Sequence, residues 1–214
     1  MVRKPYPFRQ NNAPPGRQRK GRDMNIAIIG NGNIGKGLAA VLAKTSHQVS
    51  LLGKGDDLAP VGSAEVVILA TPYGAAAGLA SVADFTGKVV IDVSNPVMAD
   101  FSGLQLGHES SAAEEIAALL PGASVVKAFN TIFAQHYATG LQIDGQPLQT
   151  FVASDDASAR DRVKALAAEI GFVPVDAGPL KNARYLEPLG FMNIQFGYVL
   201  GQGAGIAPNW LTAA

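Results

Sequence analysis

The feature that most constrains this chain is a glycine-rich turn between an apolar run and a helical pattern. The run Asn25–Ile29 has the length of a strand, and Gly30, Gly32 and Gly35 follow it with the spacing G-x-G-x-x-G. Gly30 permits a tight turn, Gly32 lets the backbone approach a pyrophosphate, and Gly35 lets helix and strand pack closely. The stretch therefore predicts a dinucleotide-binding strand–turn–helix unit. The alternative is a turn of the same shape that binds nothing.

Further apolar runs and helical patterns follow this unit in alternation, which is typical of a parallel sheet covered by helices. The predicted strands are residues 48–52, 66–70, 89–93, 124–129, 150–153 and 172–175. We predict a Rossmann-type α/β fold, doubly wound around a mainly parallel sheet, as a single domain over residues 24–214. A last helix from about Asn182 packs on this sheet, and a glycine-rich tail follows it. Only about ten residues separate the second strand from the third, so the adenine side of the sheet is predicted to be trimmed.

Two helix starts carry capping signals. Ser111 and Glu114 have the spacing of a capping box, and Asp155 and Asp156 stand just before a helical pattern, as N-capping acids do. The strand predicted at residues 172–175 contains Pro174, which favours an edge position in the sheet.

Composition excludes several classes of site. The chain has no cysteine, and His47, His108 and His136 are scattered, so no metal site is predicted. We expect His47 in a turn, His108 in solvent and His136 in the core or an interface. No apolar run approaches the roughly 20 residues that span a bilayer. We therefore expect a soluble, cytoplasmic protein with no membrane partner.

The first 23 residues form a basic arm, with seven basic residues against one acidic one. Its prolines and its lack of a helical period predict disorder. The arm is either an over-long gene start, with translation beginning at Met24, or a tether for an acidic partner. The remaining residues carry 10 basic and 16 acidic side chains, so no nucleic-acid partner is expected.

The end of the second strand bears on the choice of cofactor. An NAD site usually has an acid there, for the ribose 2′-hydroxyl. This chain has Gly53 and Lys54 instead, and a cation suits the 2′-phosphate of NADP. The alternative is a solvated lysine, which the neighbouring Asp56 and Asp57 favour.

Small polar residues follow three later strands, where a doubly wound sheet binds its ligands. They are Thr71, Asn95 and the pair Asn130 and Thr131, and we interpret these three corners as one site. Asn95 either binds the ligand or forms an Asx-turn before Pro96. Because no acid or base stands at these corners, no catalytic residue is predicted. The arrangement suits hydride transfer between two positioned rings.

Several stretches together resemble the NADP oxidoreductases that depend on the deazaflavin coenzyme F-420, in particular their short bacterial relatives. The same module is similar to the cytoplasmic domain of the six-transmembrane metalloreductases. The resemblance runs from Met24 to about Gly203. The residues that carry it are Ile28 to Lys36, Ala70 to Ala76, Val93 to Pro96, Val126 to Thr131, Asp176 to Leu180 and Asn182 to Glu187.

The resemblance implies a reductase that binds NADP(H) and passes hydride to a flavin or to coenzyme F-420, a small-molecule ring acceptor. The family usually has serine and arginine where this chain has Gly53 and Lys54, which predicts weaker phosphate binding here. The expected cofactor-binding residues, from motif and resemblance together, are Gly30, Asn31, Gly32, Asn33, Ile34, Gly35, Gly53, Lys54, Thr71, Pro72, Tyr73, Ala76, Asn95, Pro96, Asn130 and Ala134.

Two questions remain open from the sequence alone. Tyr73 either walls a ring of the cofactor or is a packing aromatic on a loop. The chain is either such a reductase, an NADP(H)-sensing module without turnover, or an imine or small-carbonyl reductase. A homodimer through the last helix is expected, because apolar residues occupy several of its faces.

Overall fold

The computed structural model describes residues 23–211, which form an α/β fold. The basic arm falls outside this range except for its last residue. The main strands and helices in chain order are β1 (Asn25–Ile29), α1 (Asn33–Leu42), β2 (Gln48–Leu52), α2 (Ala59–Ser63), β3 (Val66–Leu69), α3 (Ala75–Ala80), β4 (Val89–Asp92), α4 (Ala112–Leu119), β5 (Ser124–Lys127), β6 (Gln142–Ile143), β7 (Gln146–Pro147), β8 (Gln149–Ala153), α5 (Ala157–Glu169), β9 (Val173–Gly178) and α6 (Ala183–Ile194).

Seven strands form one sheet in the order β2-β1-β3-β4-β5-β8-β9. All neighbours are parallel except β5 and β8, which meet antiparallel through the single residue pair Lys127 and Ala153. The predicted Rossmann-type, mainly parallel sheet is thus confirmed. β9 lies at the edge, as Pro174 indicated.

Apolar side chains cover both faces of the sheet, which explains why its inner strands are continuous apolar runs. On one face, Ile28 and Ile68 pack with Leu38 of α1 and Val163 of α5. On the other face, Val67 and Val90 pack with residues of α3 and α4. The two helical layers leave the carboxyl ends of the strands as the edge where a site can form.

The connection from β2 to β3 is short, as predicted, and it crosses β1 to reach the far side of that strand. We expected an extended crossover, but residues Ala59–Ser63 form a short helix with Pro60 in its first turn. Proline suits that position because the first N–H groups of a helix have no partner within it.

The two capping predictions have different outcomes. Ser111 accepts a hydrogen bond from the Glu114 amide, so the serine half of the capping box is confirmed. The Glu114 carboxylate accepts from the Ser111 hydroxyl over 2.7 Å. Asp156 caps α5 by accepting from the amides of its second and third residues. Asp155 does not cap this helix; its carboxylate accepts from the amide of Leu180, 3.0 Å away.

The histidines also differ from one another. His108 is exposed, as predicted. His47 follows a bend but is buried: its Nδ1 accepts from the Met24 amide, and its Nε2 lies 3.2 Å from a Glu169 carboxylate oxygen. His47 therefore fastens the start of β1 to the end of α5. None of the helices described for residues 23–211 is both long and apolar enough to cross a membrane.

Candidate functional site

The turn between β1 and α1 has the geometry that its glycines predicted. Gly30 has a φ of 114°, in the region that favours glycine, and its amide donates to Leu52 at the end of β2. A Cβ on Gly35 would collide with the Gly30 carbonyl oxygen, so helix and strand approach more closely than another residue allows. Asn31, Gly32 and Asn33 are exposed.

The first turn of α1 is open to an anion. In the described chain no side chain caps this helix, and its first turn has no acidic residue. The N–H groups of a helix start have no partner within the helix, and they carry the positive end of its dipole. Nothing lies within 4 Å of the Cβ position at Gly32, so a phosphate has room to approach the backbone there.

The end of β2 lies beside this turn. A Cβ on Gly53 would meet the Asn31 side-chain amide, so the two predicted residues are neighbours. Lys54 is exposed. Asp56 turns back on the same loop and accepts from the Gly53 amide over 2.7 Å, so a carboxylate lies at the residue next to Lys54.

The end of β3 contributes its backbone more than its side chains. The carbonyl of Ala70 and the amide of Thr71 stand against Gly30, so this corner abuts the glycine-rich turn. Tyr73 is half-buried and donates its hydroxyl to Glu115 of α4 over 2.6 Å, which raises the pKa of Tyr73 to about 12. These contacts favour the packing interpretation of Tyr73. Ala76 is buried in the core between α3 and the sheet.

A cleft of about 270 Å³ opens where α1 meets the ends of β4 and β5. Five predicted residues line it together, although they come from three separate stretches: Asn33, Ile34, Asn95, Asn130 and Ala134. Its other lining residues are Val93, Phe101, Phe129, Thr131, Ile132, Phe133, Gly190, Asn193, Ile194 and Tyr198.

Two asparagines at the floor of this cleft are bonded to each other. Asn95 Nδ2 donates to the Asn130 carbonyl, and Asn130 Nδ2 donates to Asn95 Oδ1 and to the Leu186 carbonyl, each over 2.8 Å. Because the Leu186 carbonyl only accepts, these bonds fix the orientation of the Asn130 amide. Asn130 Oδ1 and Thr131 Oγ1 are buried and have no partner among the described residues. Buried polar atoms are normally bonded, so both are candidates to bind a ligand.

The backbone before this pair is strained. Phe129 has a φ of 62° although it is not a glycine, a conformation that clusters at functional sites. Its amide donates to Thr150 Oγ1 of β8 over 3.1 Å. The left-handed residue turns the chain sharply at the end of β5, so Asn130 and Thr131 line the cleft.

Aromatic side chains form the outer part of the cleft. Phe133 and Tyr198 meet edge to face with ring centroids 5.2 Å apart. Phe101 lies on a loop between β4 and α4, where its carbonyl accepts from Gln195. Tyr198, in the segment that follows α6, also lines the cleft. Phe101 was not predicted to belong to the site, because it lies in a polar loop.

A buried ion cluster lies behind the asparagines, and sequence reasoning missed it. Lys127 Nζ donates to Asp92 over 2.7 Å, to the Ser94 carbonyl over 2.5 Å and to Glu187 over 2.8 Å. The Asp92 and Lys127 side chains are at most 1% exposed, and that of Glu187 is 2% exposed. Burial raises the pKa of the Glu187 carboxyl, and Lys127 acts in the opposite direction. The available signal was that two neighbouring apolar strands each end in a charged residue.

The segment after α6 folds back along the domain. His136 is buried and pairs with the Ile206 carbonyl over 3.0 Å, so it is a core residue, one of its two predicted locations. Further on, Gln149 of β8 exchanges two hydrogen bonds with the Trp210 backbone, and the Trp210 ring packs on Phe151. Residues 206–210 are therefore held against the sheet.

The sheet order and the glycine-rich turn together define a Rossmann-type, dinucleotide-binding fold. A scan against protein-family models finds no match. Among solved structures, a proposed coenzyme F-420-dependent NADP reductase of Arthrobacter sp. FB24 superimposes with a TM-score of 0.77 at 25% identity, covering 85% of this chain and 96% of that one. A hypothetical protein of Sinorhizobium meliloti is 30% identical, with a TM-score of 0.59 over 73% of this chain and 86% of its own.

The rat metalloreductase STEAP3 is 33% identical over 180 residues, which are 77% of this chain and 36% of that protein. The chain thus spans about a third of the length of this relative. An imine reductase of Aspergillus terreus, at 15% identity and a TM-score of 0.58, shares the fold. This chain is thus similar to a proposed coenzyme F-420-dependent NADP reductase, and it shares a nucleotide-binding fold with the metalloreductase.

Proposed function

We propose that this protein binds NADPH across the carboxyl ends of β1 to β5 and passes its hydride to a planar ring acceptor of the flavin or deazaflavin type. One observation carries the proposal: the start of α1 and the ends of β4 and β5 line the same cleft. A dinucleotide carries its phosphates and its reactive ring in one molecule, so a single ligand can occupy both ends of this cleft.

The residues fit the cofactor at both ends. The open start of α1 would hold the pyrophosphate with its N–H groups. The free acceptors Asn130 Oδ1 and Thr131 Oγ1 match the N–H donors of a carboxamide. When bound, reduced nicotinamide supplies the hydride, and the acceptor takes two electrons with it.

The acceptor's place is proposed at the aromatic end of the cleft. Phe101, Phe133 and Tyr198 offer ring surfaces on which a second planar molecule can pack. Within residues 23–211, no acidic or basic side chain lines this cleft. Catalysis is then mainly positioning, which supplies roughly 7–11 kcal/mol when two reactants are held in the right geometry.

A panel of acceptors tests this proposal. The protein is mixed with NADPH and, separately, with riboflavin, FMN, a deazaflavin, a ferric chelate and a cyclic imine, and the nicotinamide absorbance is followed. We expect NADPH to be consumed with the ring acceptors. Tight NADPH binding without oxidation by any acceptor would instead indicate a sensing module. Consumption with the imine alone would indicate an imine reductase.

The preference for NADP is tested at Lys54. We expect Lys54→Ala to weaken NADPH binding about tenfold and to change NADH binding little, because a charge-assisted bond to the 2′-phosphate is lost. Lys44→Ala, which removes an exposed charge at the far end of α1, is the matched control. An equal loss for both nucleotides would contradict the phosphate assignment and favour a solvated lysine beside Asp56.

Two further features belong to the same proposal. A homodimer is proposed through α6, whose Tyr185 and Met192 are exposed apolar residues. The cytoplasm is proposed as its location, with neither membrane nor nucleic acid as a partner.

A further inference from the structure

The buried cluster of Asp92, Lys127 and Glu187 is not explained by stability. Burying ions costs desolvation energy, and apolar residues of similar volume usually serve a core as well or better. Here one lysine and two carboxylates are almost fully enclosed. We therefore ask which neighbouring groups the cluster holds in a fixed orientation, and its hydrogen bonds identify them.

The cluster holds the backbone of Ser94 from both sides. Asp92 Oδ1 accepts from the Ser94 amide over 2.9 Å, and Lys127 Nζ donates to the Ser94 carbonyl over 2.5 Å. Asp92 and Lys127 are register partners at the ends of neighbouring strands. The residue that follows Ser94 is Asn95, so these bonds fix the backbone from which the first asparagine side chain of the cleft extends.

The cluster also holds the helix that supports the second asparagine. Glu187 accepts from Lys127 over 2.8 Å and from the amides of the first two residues of α4, Ala112 and Ala113. Its neighbour on α6, Leu186, supplies the carbonyl to which Asn130 donates.

Each of the three charged residues therefore lies close in the sequence to one member of the hydrogen-bonded group formed by Asn95, Asn130 and the Leu186 carbonyl. Asp92 precedes Asn95, Lys127 precedes Asn130 by three residues, and Glu187 adjoins Leu186. Lysine suits the centre of such a junction because its ammonium group has three donors. All three are used: two toward the end of β4, at Asp92 and the Ser94 carbonyl, and one toward Glu187 of α6.

We propose that Lys127, with Asp92 and Glu187, is a positioning residue: the cluster fixes the Asn95–Asn130 pair so that Asn130 Oδ1 faces the ring end of the bound nucleotide. The inference rests on the proposed function, since the ligand in question is NADP. The cluster touches neither ring; it acts through the two asparagines.

The test compares, by calorimetry, the affinities of the protein for two ligands. NADP+ reaches the asparagine pair, whereas 2′,5′-ADP lacks the nicotinamide end and does not. The main variant is Lys127→Met with Asp92→Asn and Glu187→Gln, which removes every charge of the cluster together and leaves no unpaired buried ion. Asp92→Asn alone is the milder second variant, because it keeps the pair of Lys127 with Glu187.

In both variants we expect the Kd for NADP+ to rise about tenfold, the effect of one lost hydrogen bond, while the Kd for 2′,5′-ADP stays within about twofold. The side-chain amide resonances of Asn95 and Asn130, which we expect to be sharp in the wild type, should broaden. The control is Arg184→Met with Glu114→Gln, which removes another ion pair between α4 and α6. It should change neither affinity.

Each outcome decides the question. If the wild type binds neither ligand, the proposed function is wrong and the positioning role falls with it. If the wild type binds both and Asp92→Asn weakens both equally, or weakens neither, the positioning role alone is wrong. An equal effect of the control pair would mean that α6 is simply loosened, which also overturns the proposal.

Discussion

At the scale of single residues, two glycines of the same turn serve different purposes. A Cβ on Gly35 would overlap a backbone carbonyl that cannot move aside, whereas one on Gly32 would enter open space. We expect Gly35→Ala to lower the free energy of unfolding by about 1–3 kcal/mol, as overpacking does. Denaturant titration measures this change.

Gly32→Ala is the matched variant for that experiment. Its φ of −71° suits alanine, so we expect a stability loss below about 1 kcal/mol. Its new methyl group stands where the pyrophosphate must approach, so NADPH affinity should fall about tenfold. Unchanged affinity for NADPH in Gly32→Ala would place the phosphates elsewhere.

The glycines were predictable because their role is local: spacing along the chain is enough to identify a strand–turn–helix unit. The ion cluster was not, because Lys127 meets partners 35 and 60 residues away in the sequence. Tyr73 shows the same limit, since its partner Glu115 lies on another helix. Sequence alone left both of its interpretations open.

At the scale of elements, α4 and α6 are joined by Glu114 and Arg184. Arg184 donates to both carboxylate oxygens of Glu114 over 2.8 Å, and these bonds hold the pKa of Glu114 below its ordinary 4.5. A carboxyl group with a depressed folded-state pKa stabilises the protein above its unfolded pKa. That stabilisation is lost as the pH falls through the folded value.

We therefore expect Glu114→Gln to lower the free energy of unfolding at neutral pH, and the difference from the wild type to shrink as the pH falls below 4.5. Urea unfolding at several pH values measures both. Glu65→Gln is the control, because it removes one negative charge at a residue that is not part of this ion pair. A difference that stayed constant down to about pH 3 would show that the ion pair contributes nothing.

The strands were well predicted because doubly buried strands are continuous apolar runs, and most boundaries fell within about two residues of those observed. β9 began one residue late and ran three residues further than expected. The short helix between β2 and β3 was missed because its five residues are too few to display a helical period.

At the scale of the whole molecule, the proposed dimer has a direct test. The exposed fractions of Tyr185 and Met192 are 71% and 43%, and burying such side chains is what an interface gains. We expect sedimentation to report twice the chain mass of 22.2 kDa. Tyr185→Asp combined with Met192→Asp should return the single-chain mass, whereas Val82→Asp, at another exposed apolar position, should not. A wild-type monomer would refute this arrangement.

The narrow junction between β5 and β8 has a further consequence. One residue pair joins these strands, and hydroxyl groups supplement it: Thr150 accepts from the Phe129 amide, and Ser154 donates to Val125. Because so few hydrogen bonds join β5 and β8, we expect these two strands to separate before the rest of the sheet opens. In deuterated water, the amides of β8 and β9 should exchange together and sooner than those of β1, β3 and β4. Thr150→Val should increase this difference in exchange rate between the two groups of strands. A uniform exchange rate would mean that the sheet opens as one unit.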